Sequence, residues 1–111
     1  LGSQSYGSYC RRKLRGLKEI NIVGSGHLTQ EILPWLNKLS VPVRVHVRSK
    51  NERVMALQAQ YPRVRIESLE APESEIRGGL VIAAPLDSQR INDWLGCHEV
   101  STVLDLRAES A

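Results

Sequence analysis

The sequence predicts an α/β domain of the Rossmann-like, doubly wound type: a parallel sheet of about five strands in the order 3-2-1-4-5, with helices on both faces. Three observations predict it. Short apolar runs alternate with segments of helical period from Glu19 to Asp105. A glycine turn, Gly24-Ser25-Gly26, separates the first run from the first helix. The run Gly79 to Ala83 is almost wholly apolar, as a strand covered on both faces must be.

Glu19 to Val23 reads as the first strand, with Ile20, Ile22 and Val23 apolar. After the glycine turn, Leu28, Ile32, Leu33, Leu36 and Leu39 recur at helical period. Pro34 removes one hydrogen bond inside that helix and should bend it. Val43 to Val47 is the second strand, its valines alternating with Arg44 and His46. Ser49-Lys50-Asn51-Glu52 has the form of a capping box, with Ser49 as cap and Glu52 reaching back. Val54, Leu57 and Tyr61 give the next helix its apolar stripe, and Pro62 closes it.

Val64 to Glu67 reads as a third strand, and Ser68 to Arg77 as loop with at most one helical turn. Gly79 to Ala83 is the fourth strand. Asp87 then caps a helix that turns Ile91, Trp94 and Leu95 to the core and closes at Gly96. Thr102 to Asp105 is the fifth strand.

The 111 residues fit one domain, large enough to bury a core without metal or disulfide staples. Residues 1–16 are expected to be a linker or helix leading into it, and residues 17–111 the NAD(P)-binding domain. The chain opens on Leu in a Gly/Ser/Tyr-rich stretch, so it is expected to be a piece of a longer protein. Its longest apolar run, Leu80 to Ala84, is far too short to span a bilayer, and no signal peptide is visible. No membrane partner and a cytoplasmic location are expected. Cys10 and Cys97 match no zinc or redox spacing, and His27, His46 and His98 form no ligand set, so no metal is expected. The net charge of +3 is mild, and much of it sits in Arg11, Arg12, Lys13, Arg15 and Lys18. Such a run can touch a phosphate backbone or simply stay solvated.

The glycine turn is the candidate site. In Gly24-Ser25-Gly26-His27-Leu28-Thr29, Gly24 allows the tight turn and Gly26 lets backbone approach a pyrophosphate. The helix N-terminus then offers unsatisfied N–H groups to the anion. Thr29 replaces the usual third glycine, which predicts slightly looser packing of helix on strand. The tip of the second strand bears no carboxylate to hold ribose hydroxyls. It carries Arg48, Ser49 and Lys50, with Arg53 one turn on, a set that favours a 2′-phosphate and hence NADPH. Ala84 and Pro85, at the end of the fourth strand, leave room for a nicotinamide ring.

On these residues the chain resembles the NADPH-binding domain of glutamyl-tRNA reductase, over most of residues 3 to 109. Ile22-Val23-Gly24-Ser25-Gly26 is similar to that family's glycine turn. Arg48-Ser49 followed by Glu52-Arg53 resembles its Asn-Arg-Thr and Glu-Arg pattern. Ile82-Ala83-Ala84-Pro85 takes the place of its small-residue strand end, and Val103 to Arg107 resembles its last strand. The chain departs from the family at Val47, at Pro34, and after Asp105, where the usual Pro-Arg pair is missing.

The resemblance implies an oxidoreductase domain that binds NADPH for hydride transfer to a glutamyl thioester, giving glutamate-1-semialdehyde for tetrapyrrole (porphyrin) biosynthesis. Glutamyl-tRNA would be met by other domains of the full-length protein, where a homodimer is also expected. No catalytic residue carries over to this chain, so the piece alone is expected to be inactive. Two other readings stay open: the cofactor domain of another dehydrogenase, of precorrin-2 or shikimate type, and a non-catalytic nucleotide-sensing module.

Overall fold

Valine and isoleucine are stiff at χ1 and favour extended backbone. In the computed structural model the runs they dominate become strands. The structure describes residues 6–69, 76–84, 89, 92 and 99–106. Within these lie α1 (Tyr6–Leu14), β1 (Ile20–Val23), α2 (His27–Leu36), a 3-10 turn (Asn37–Leu39), β2 (Val43–Val47), α3 (Glu52–Gln60), β3 (Arg65–Ser68), β4 (Arg77–Ile82) and β5 (Glu99–Asp105). The strands form one parallel sheet in the order β3-β2-β1-β4-β5, as the sequence predicts.

Register decides which side chains share a face. Ile22 lies opposite Val45 on one side and Val81 on the other, and Val81 lies opposite Leu104. That face is covered by Cys10 and Leu14 of α1, Ile32, Leu33 and Leu36 of α2, and Val54 and Leu57 of α3. Each such aliphatic side chain contributes about 1.5–3 kcal/mol by leaving water, which is why the apolar stripes fix how the helices pack. On the other face Val23, Leu80 and Ile82 cluster with Leu69. The helix expected over Asp87 to Gly96 falls mostly outside the described residues, of which Gln89 and Asn92 are helical.

The opening segment, expected as linker or helix, is helix from Tyr6. Its apolar residues Cys10 and Leu14 are buried, and Gly7 lies so close to α2 that a Cβ there would overlap the Trp35 ring. The helix α2 runs through Pro34, which is exposed, and passes into the 3-10 turn after Leu36.

One local expectation is corrected. Ser49 is not the cap of α3. Asn51 is, in extended backbone at φ −101°, its side chain accepting from the Val54 N–H at 3.0 Å. The helix starts at Glu52, so Glu52 stands in its first position and not at the reach-back position of a capping box. Burial in β2 does not follow its alternation. All five of its residues are buried, Arg44 and His46 among them. An inner strand of a parallel sheet is covered on both faces, so its polar side chains must find partners inside.

Candidate functional site

Gly24 ends β1 at φ +109°, a conformation that L side chains rarely adopt. A Cβ on it would lie 2.7 Å from the Ala84 Cβ just past β4. Its N–H donates to the His46 carbonyl at 2.9 Å, and its own carbonyl accepts from the Thr29 hydroxyl at 2.8 Å. The turn is thereby pinned to β2, to β4 and to the helix it opens. Thr29 is fully buried. Its hydroxyl ties helix to turn. Gly26 is the N-cap of α2 with no side-chain cap, and nothing lies within 4 Å of where its Cβ would stand. The first N–H groups of an α-helix have no intrahelical partner, and its N-terminus is the positive end of its dipole.

A cavity of about 310 Å³ opens over the carboxyl ends of β1, β2 and β4. This is the switch point of the sheet, where crossovers leave in opposite directions and ligands of such folds sit. Gly24, Ser25, Arg48, Ser49 and Ala84 line it, and so are brought together as the sequence reading grouped them. Gly26 follows directly at the helix start. His27 is exposed as the first residue of α2, and half-buried Leu28 packs against the core. Lys50 is exposed beyond the lining. Arg53 lines a separate groove of about 290 Å³ between α2 and α3, with Gln30, Pro34 and Tyr61. Pro85 lies outside the described residues.

His46 and Asn51 also line the cavity and were missed in the sequence reading. Asn51 was findable, since Asn is among the strongest cap residues. His46 was not, because only strand register brings it beside Asn21. The Asn21 amide donates to the Arg77 carbonyl at 2.9 Å and to the Gly79 carbonyl at 3.3 Å. Its oxygen, 3.0 Å from His46 Nε2, is then the acceptor, and the ring nitrogen donates. Deeper on the same face, Arg44 donates to Glu19 at 2.8 Å and to Glu67 at 2.7 Å. These side chains link β1 to β4, β1 to β2 and β2 to β3.

Cys10, on the core side of α1, is buried, and desolvation pushes its thiol up to about 11. It is held protonated and offers no nucleophile. Among the described residues no group of three or more His, Cys, Asp or Glu could hold a metal ion, and no helix is long and apolar enough to cross a membrane.

No protein-family model and no curated protein matches the chain. Among solved structures it is similar to a 23S rRNA methyltransferase, ErmE. The TM-score is 0.56 at 17% identity, over 90% of this chain and 45% of that one. The likeness is one of fold.

It overturns the reductase reading. The neighbour is a methyltransferase and not a glutamyl-tRNA reductase, and no family model supports the latter. NADPH as cofactor, hydride transfer and a place in tetrapyrrole synthesis are withdrawn with it, and so are the other dehydrogenase readings. The physical reason is that strand, glycine turn and helix form an anion-binding framework common to many chemistries. The residues quoted for the resemblance describe that framework and not a reaction.

Proposed function

We propose that this chain is a nucleotide-binding domain of methyltransferase type, holding an adenosyl methyl donor of the S-adenosylmethionine class. The observation that carries it is the cavity at the switch point, lined by Gly24 and Ser25 of the glycine turn and by Arg48, Ser49 and Asn51, with α2 starting two residues after Ser25. The methyltransferase neighbour supplies the ligand class.

The residues fit such a group. A carboxylate on the ligand meets the first N–H groups of α2, where Gly26 leaves space. Ser49 and the Asn51 amide nitrogen serve the ribose hydroxyls in place of a carboxylate. Arg48, exposed at the tip of β2, stacks its planar guanidinium on the adenine. When bound, the group supplies the methyl; the chain binds and orients it.

The test is calorimetric titration with S-adenosylhomocysteine and, separately, ADP. Binding of S-adenosylhomocysteine, weakened in Ser49→Ala, supports the proposal. At about 100 times its dissociation constant it should also add about 2.7 kcal/mol of stability. Preference for ADP would replace the ligand by a phosphate-bearing nucleotide. Binding of neither would overturn the reading.

A further inference from the structure

We infer that the surface formed by α1 and the end of α2 binds the backbone of a single-stranded polynucleotide. The inference does not rest on the cavity, which uses the opposite end of α2.

The helix α1 contains no acidic residue and has Arg11, Arg12 and Lys13 in its last turn. Arg15 and Lys18 follow directly. Arg12, Lys13, Arg15 and Lys18 are exposed, and Arg11 is half-buried. A solvated helix face interleaves acids with bases at spacings of three and four residues; α1 does not. Its dipole calls for cations only at the last turn, and the run continues past it.

Each of the two helices also carries an aromatic ring with a cation over it. Lys13 Nζ lies over the Tyr9 ring at 5.8 Å from its centre, and Lys38 Nζ lies over Trp35 at 5.0 Å. Gly7 rests directly against Trp35, which joins the two helices into one platform. Cations interleaved with half-buried rings are the means by which proteins hold single strands: charge tracks the phosphates and the rings take the bases. A lipid surface fits less well. Membrane-binding helices present an apolar face to insert, and the apolar residues Cys10 and Leu14 of α1 are buried in the core.

The experiment uses the whole chain and fluorescein-labelled oligouridylate and oligothymidylate of about 20 nucleotides, followed by anisotropy between about 50 and 200 mM KCl. Four exposed cations on phosphates predict a log–log salt slope near −3, at about 0.7 per phosphate of a single strand. The joint variant Arg12→Glu, Lys13→Glu, Arg15→Glu should weaken binding by about tenfold or more, with far-UV circular dichroism showing the fold kept. Arg65→Glu, an exposed cation on β3, should change it little. Equal binding of RNA and DNA assigns the contact to phosphate; tighter RNA adds the 2′-hydroxyl. Salt-independent binding, equal weakening by Arg65→Glu, or preference for phosphatidylserine vesicles would overturn the inference.

Discussion

Replacing Gly24 by Ala tests whether the glycine turn is built as described. The residue sits at φ +109°, and the new Cβ would lie 2.7 Å from the Ala84 Cβ. Holding a non-glycine residue in that backbone region costs about 1–3 kcal/mol. Forcing a methyl into occupied space costs about 1–3 kcal/mol more. The expected loss is therefore about 2–6 kcal/mol, a large share of the stability of a domain this size. Gly26→Ala is the control. Its φ is −84° and nothing lies within 4 Å of the added carbon, so only the cap preference is lost, at about 0.5 kcal/mol. Both are read by equilibrium urea unfolding followed by circular dichroism, with the slope against denaturant unchanged. The double variant Gly24→Ala, Ala84→Gly should recover the overlap part but not the backbone part. A loss below about 1 kcal/mol for Gly24→Ala would refute the reasoning, since a loss that small is ordinary for a point substitution. The same pair separates stability from binding: Gly26→Ala should keep the fold and weaken S-adenosylhomocysteine, because its methyl enters the space before α2.

Arg44→Met should cost about 3–5 kcal/mol in the same assay, because it strips the guanidinium from a carboxylate only 3% exposed. Adding Glu67→Leu should recover much of the loss, and a single-variant loss under about 1 kcal/mol would show that the pair is not buried in solution. Asn51→Ala should cost about 1 kcal/mol, and Ser49→Ala less than about 0.5; the reverse order would return the cap to Ser49. In a Cys97→Ser chain, Cys10 should resist thiol reagents in the native state, gaining thiolate only as pH rises towards about 11. Labelling at the rate of a free thiol would contradict its burial.

The strands were legible because their signal is local. Val43, Val45 and Val47 prefer extended backbone whatever surrounds them. Strand order followed from the rule that parallel crossovers share one hand. Gly24 and Gly26 were legible as a turn because glycine alone is at ease there. The partners of that turn were not. Thr29 reads as a poor third glycine until its hydroxyl is seen on the Gly24 carbonyl, five residues back across the start of a helix. The cap slipped from Ser49 to Asn51 because both are good caps and the packing of Val54 and Leu57 chose the phase of α3.

What the sequence determined by itself was the framework: apolar runs, breakers and a glycine turn that name a parallel α/β sheet and the end of it that takes ligands. What only the tertiary structure decided was which distant residues meet there. Asn21 and His46 are 25 residues apart, and Arg44 is closed on by Glu19, just before β1, and by Glu67 of β3. Such contacts depend on strand register, a sum of packing over the whole sheet that no short stretch of sequence carries.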